Sequence, residues 1–138
     1  MAENPDVAIV RRGYEAFASG DMGWMNENLA DDVVWHVPGY NPGSGDFVGR
    51  EAVLGSFGRL FQATAGTFKL EVHDVVGNDQ HVVGLATFRA ESPDGEAYES
   101  RGVNVFHLED GKAKEVWIFN EDTTAADTFF NKLNWPSA

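Results

Sequence analysis

Four polar side chains stand among apolar neighbours in this chain, and each brings a different chemistry. His36 lies in Val33-Val-Trp-His-Val-Pro38. Its imidazole has an ordinary pKa near neutrality, so it is a candidate general acid or base, or else a polar residue of a sheet or interface. Asn104 lies in Gly102-Val-Asn-Val-Phe-His-Leu108. Strand alternation puts its amide on one face with Gly102, Phe106 and Leu108. An amide there must be satisfied by a ligand, a water or a backbone group, and as a donor it can hold an oxyanion. Tyr14 shares a helical stripe with Val7, Val10 and Phe17, and a buried phenol seeks a partner. Asp122 ends the run Val116-Trp-Ile-Phe-Asn-Glu-Asp122; before Thr123-Thr124, a carboxylate is also an ordinary helix cap.

The elements that carry these residues read as an α+β chain. Asn4-Pro5 starts a helix that Gly20 ends, and Asp21 begins a shorter one with Trp24, Met25 and Leu29. Val33–Val37 is a strand stopped by Pro38-Gly39; by alternation Trp35 pairs its face with Val37, and His36 with Val34. Tyr40 to Gly49 reads as a loop and a pocket rim. Arg50 to Thr64 has helical spacing through Val53, Phe57, Leu60 and Phe61. Four strands follow at Thr67–Val76, His81–Ala90, Ala97–Leu108 and Ala113–Asn120. Their separators, Gly77-Asn-Asp, Pro93-Asp-Gly and Asp110-Gly, are hairpin turns. Thr123 caps a last helix with Ala126, Phe129, Phe130 and Leu133. Helices gathered before an antiparallel meander imply a curved sheet with helices on one face.

Composition narrows the function. The chain has 138 residues, 43% hydrophobic and 12% aromatic, enough for one domain with a core and aromatics left over to line a cavity. Its formal net charge is −12, with ten Lys plus Arg. Nucleic acids and anionic membranes need a basic footprint, so neither is an expected partner. No cysteine is present, which excludes disulfides, thiolate metal sites and cysteine nucleophiles. His73, His81 and His107 share no ligand spacing, and Gly43-Ser-Gly45 lacks a helix N-terminus at the distance a phosphate loop needs. No metal or cofactor is expected. Met1-Ala-Glu-Asn-Pro-Asp6 has no basic region followed by an apolar run, so a cytoplasmic location is the expectation.

Two spans, Leu29-Ala-Asp-Asp-Val-Val-Trp-His-Val-Pro-Gly39 and Arg101-Gly-Val-Asn-Val-Phe-His-Leu-Glu-Asp-Gly-Lys112, together with Gly20-Asp21 and Gly49, carry a family likeness. In order and spacing they resemble the signature strands of the nuclear-transport-factor-two-like superfamily, with its ketosteroid isomerases and SnoaL-like polyketide cyclases. The resemblance implies a single SnoaL-like domain over residues 1–138. It also implies a cone-shaped, cystatin-like α+β barrel with a curved, mostly antiparallel sheet, an apolar pocket, and a homodimer through the sheet's outer face. It puts Trp35 toward the pocket and His36 outward. Laid on the isomerase pattern, the catalytic base falls on Val37, which accepts no proton. The oxyanion tyrosine falls on Gly13, one step from Tyr14, and the oxyanion acid on Asn104. Laid on the limonene-epoxide-hydrolase pattern, Arg101-Gly-Val103 puts valine where an aspartate belongs. Other members of the superfamily take a catalytic acid from the region of Asp122.

Two functions follow. In the first, the chain is an enzyme for a mostly apolar, oxygen-bearing molecule, performing isomerisation, cyclisation or hydration but not steroid isomerisation. Trp35, Tyr14, Phe106, Trp117 and Val37 would shape its pocket, Asn104 would hold an oxyanion, and Asp122 or His36 would move a proton. In the second, the pocket binds a hydrophobic ligand without catalysis, or large aromatics fill it in a dimerisation module. The discriminating feature is an ionisable group in the cavity.

Overall fold

A computed structural model describes residues 3–137; Met1 and Ala2, at the head of the segment read for a leader, and Ala138 lie outside them. The first helix starts where its residue types require. The Asn4 side chain accepts from the backbone N–H groups of Asp6 and Val7, Pro5 occupies the first turn, and Gly20 supplies the C-cap of α1 (Pro5–Ser19). Asp21 accepts from Trp24 N–H at 3.0 Å and caps α2 (Met22–Asn28).

β1 (Leu29–Val37) follows directly, then β2 (Gly45–Val48), α3 (Arg50–Ala63) and the meander β3 (Lys69–Gly77), β4 (Val82–Glu91), β5 (Ala97–Glu109) and β6 (Lys112–Asn120). α4 (Thr123–Phe130) closes the order. The β5–β6 turn is tight: Glu109 pairs with Lys112, and Asp110 and Gly111 take φ of 52° and 76°, as a two-residue hairpin of this hand demands.

Six strands form one unclosed sheet in the order β2-β1-β6-β5-β4-β3. Every neighbouring pair is antiparallel except β1 and β6, which run parallel. Two expectations need correction. The segment 40–49 is not loop throughout, because Gly45–Val48 pairs with Val34–Val37 of β1 and completes the sheet edge. Its pairing partner supplies the order that a glycine-rich sequence does not announce. The cap of α4 is Asp122 rather than Thr123, its carboxylate accepting from Ala125 N–H at 3.0 Å.

The helices lie on one face of the sheet, α1 against β3 and β4, α3 against β1 and β2, α4 against β5. Three apolar clusters result: Val33, Val53, Phe57 and Ala16 between α1, α3 and β1; Val7, Val10, Val75 and Val82 between α1 and the meander; Phe88, Tyr98, Ala126 and Phe129 under α4. Among the described residues, no helix is long and apolar enough to cross a membrane.

Candidate functional site

Between these clusters the helices and the inner sheet face leave a cavity of about 180 Å³. Strand register fixes its wall. Phe106 of β5 pairs laterally with Val116 of β6, Val116 with Trp35 of β1, and Trp35 with Phe47 of β2, so one inward row crosses four strands. Trp35 meets Phe57 edge-on at 5.0 Å and Phe106 at 6.3 Å. Val37 also lines the cavity, with no proton to give or take.

A second inward row places the polar centre. Asn104 of β5 lies between Gly84 of β4 and Ile118 of β6. Tyr14 reaches it from α1: the Asn104 Nδ2–H donates to the Tyr14 hydroxyl at 2.7 Å, with Phe106 edge-on to the Tyr14 ring at 5.8 Å. Burial pushes the Tyr14 pKa up to about 12, so the phenol keeps its proton at neutral pH and its O–H remains available to donate. Asn104 is 3% exposed, and its Oδ1 has no hydrogen-bond partner among the described residues. A buried amide oxygen left this way costs about 1–3 kcal/mol unless something in the cavity satisfies it. The pair therefore presents one donor and one acceptor side by side.

Gly84 makes this arrangement possible. A Cβ at Gly84 would collide with the Tyr14 hydroxyl and ring. Sequence reading passed over it, although a lone glycine in Val82-Val-Gly-Leu-Ala86 is a sign of close approach in a strand. Arg59, Asn41 and Trp135, which also line the cavity, were passed over too. Arg59 carried a weak signal: a cation between Phe57 and Leu60 borders an apolar stripe.

The remaining candidates lie elsewhere. His36 faces outward, as alternation beside an inward Trp35 requires. Its Nδ1 lies 2.7 Å from Asp46 Oδ1 and its Nε2 2.6 Å from Glu115 Oε2. The imidazole stacks on Trp117, ring centroids 5.7 Å apart. Those hydrogen bonds, Asp46 first, raise the His36 pKa and favour its imidazolium form, and the ring lies outside the cavity. Trp117 is likewise absent from the cavity wall. Asp122 is spent on the α4 cap. Of the residues expected to move a proton or shape the pocket, His36, Trp117 and Asp122 are thus not on the cavity wall, whereas Tyr14, Trp35, Val37, Asn104 and Phe106 are. No Asp, Glu, His or Lys lines the cavity among the described residues.

An open sheet with helices folded over one face and an apolar cavity between them defines a fold of the nuclear-transport-factor-two-like, cystatin-like class. A SnoaL-like domain profile matches residues 10–116, and the chain belongs to the SnoaL-like family. An uncharacterised protein of Mycobacterium tuberculosis strain H37Rv is 30% identical over 131 residues, covering 94% of this chain and 99% of that protein. Among solved structures, Bal32a from a soil-derived mobile gene cassette superposes with a TM-score of 0.87 at 35% identity, over 91% of this chain and 96% of that one. A protein of unknown function with a cystatin-like fold from Xanthomonas campestris gives a TM-score of 0.85 at 28% identity, over 93% and 98%.

Proposed function

We propose that this chain, acting as a single domain, binds a small apolar molecule through a hydroxyl, phenol or enol oxygen. The observation that carries the reading is the Tyr14–Asn104 pair. One hydroxyl accepts from the Tyr14 O–H and donates to the orphaned Asn104 Oδ1, satisfying both. The walls around it are aromatic and aliphatic, and a dry cavity of about 150 Å³ already holds benzene. A mono- or bicyclic skeleton therefore suits this one.

Proton-transfer catalysis draws less support. The pair would stabilise an enol or enolate, which is the electrophilic half of an isomerisation or cyclisation. The other half is a base, and no carboxylate or imidazole lines the cavity among the described residues. Val37 at the position of the isomerase base speaks against steroid isomerisation.

The test is calorimetric titration with 2-naphthol and, as the oxygen-free control, naphthalene. 2-Naphthol binding tighter than naphthalene, with the margin lost in Asn104→Leu at unchanged fold, supports the reading. Equal affinities, or a margin that Asn104→Leu leaves intact, sink it.

The partner we propose for the outer face is a second copy of the chain. Leu85, Val103 and Phe119 form a lateral row there, Leu85 40% and Phe119 51% exposed, with Val48 and Val76 exposed on the two edge strands. An apolar row of this kind on a β-sheet gains by being covered. Sedimentation should give a dimer that Phe119→Lys converts to monomer; a monomeric wild type at micromolar concentration removes the idea.

A further inference from the structure

The cavity has a second polar feature besides the Tyr14–Asn104 pair. Arg59 of α3 is the one formally charged side chain on its wall among the described residues. It is also unusual among the arginines. In a chain of 22 carboxylates, each of the others has an acidic partner: Arg11 has Glu3, Arg12 has Asp21, Arg50 has Asp31, Arg89 has Glu71 and Glu99, and Arg101 has Glu121. No carboxylate of the described residues lies within 4.0 Å of Arg59.

What holds Arg59 is neutral. Its Nη1 donates to the Pro42 carbonyl at 3.2 Å and its Nε to the Pro136 carbonyl at 3.4 Å. The guanidinium lies over the Trp135 ring, 5.5 Å from its centroid. These contacts from the β1–β2 rim and the C-terminal segment set the plane of the fork without neutralising it. A guanidinium has five N–H donors, and two are engaged here. Asn41, also on the wall, is neutral and engaged on both sides of its amide: its Nδ2 donates to Asp127 at 2.7 Å and its Oδ1 accepts from Gly43 N–H at 2.8 Å, and it carries no charge to offer an anion. Arg59 is thus the available partner for a ligand anion.

We propose that Arg59 selects ligands bearing a carboxylate, so that the cavity takes an apolar monoacid with a hydroxyl or enol oxygen elsewhere on its skeleton. The proposal rests on reading the cavity as a ligand site. A fixed planar fork matches a carboxylate in shape, and a single guanidinium balances one negative charge rather than the two of a phosphate monoester. The surrounding charge sharpens the assignment. A chain of net charge −12 repels anions at long range, so any preference for an acid over its ester must come from a local cation.

The experiment compares 6-hydroxy-2-naphthoic acid with its methyl ester by calorimetric titration. Wild type should bind the acid about tenfold tighter than the ester, a margin that shrinks as salt is added. Arg59→Gln should bring the acid's affinity down to the ester's, weakening the acid far more than the ester. Arg59→Lys, which keeps the charge but loses the planar fork, should retain part of the margin. Equal binding of acid and ester by wild type overturns the proposal, and so does a margin that survives in Arg59→Gln. Equal losses for acid and ester in Arg59→Gln with full recovery in neither variant leave Arg59 as a clamp between Pro42 and Pro136 and also overturn it. Failure of the ester and of 2-naphthol to bind strikes the ligand-site reading itself, whereas ester binding without an acid margin strikes only Arg59.

Discussion

The two faces of the sheet are built by the same strands and have opposite chemistry. Trp35 and His36 are adjacent, yet Trp35 walls a cavity with no Asp, Glu, His or Lys on it among the described residues, and His36 sits among carboxylates on the outer face. The same split recurs on β5, where Asn104 and Phe106 face inward and Val103 and Val105 outward. Among the described residues, charged groups other than Arg59 are kept from the cavity. Apart from Arg59, the polarity inside is neutral, carried by groups such as Tyr14 and Asn104 whose hydrogen bonds need no titration near pH 7. An outward histidine held by two carboxylates is an electrostatic fixture. An inward phenol held by an amide is a recognition element. Residue type alone would have ranked them the other way round.

The sharpest way to break the contrast is to fill the space that Tyr14 occupies. Gly84→Val puts side-chain atoms where the Tyr14 hydroxyl lies. It should cost about 3 kcal/mol in a urea titration and abolish discrimination between 2-naphthol and naphthalene. A variant as stable as wild type, despite valine's higher strand preference, would show that Tyr14 does not lie against β4.

Tyr14→Phe is milder. It keeps the ring and deletes the hydroxyl, so 2-naphthol should weaken about tenfold while naphthalene is unaffected. A calorimetric titration with both compounds checks this, and equal changes in the two would assign Tyr14 to packing alone.

Asp122→Ala tests the division from the side of a carboxylate left outside. Loss of the α4 cap should cost about 1 kcal/mol in thermal unfolding, with 2-naphthol affinity unchanged. Weakened binding at intact stability would return Asp122 to the site.

The smallest effect belongs to His36. Its folded pKa lies above the ordinary 6.5 because of Asp46 and Glu115. The imidazolium therefore stabilises the fold fully below about pH 6.5, and that contribution is lost as pH rises through the raised folded value. Melting temperature should fall across that window in wild type and change less in His36→Gln. Identical pH profiles for the two would remove His36 as a charged fixture. Ligand binding should follow neither profile.

Much of the fold was legible because its signals are local. Asn4-Pro5, Gly20-Asp21 and Asp110-Gly111 mark boundaries through capping and turn chemistry that involve only nearby residues. Alternation within β1 and β5 placed Trp35 with Val37, and Asn104 with Phe106, before any tertiary contact was considered. β2 escaped notice because Gly45 and Gly49 bracket a short edge strand whose order comes from pairing with β1.

The site divides along the same line. Sequence alone determined the aromatic and amide content of the inner strand faces, because side-chain direction in a strand has a period of two. It also determined the lack of a proton acceptor at Val37. Tertiary structure decided which groups meet. Tyr14 and Asn104 are 90 residues apart, and their contact depends on α1 lying across β4 where Gly84 leaves room. Arg59 lies at the cavity because the segments carrying Pro42, Trp135 and Pro136 converge on α3 from distant parts of the chain. Such meetings are set by packing between elements, and no local spacing encodes them.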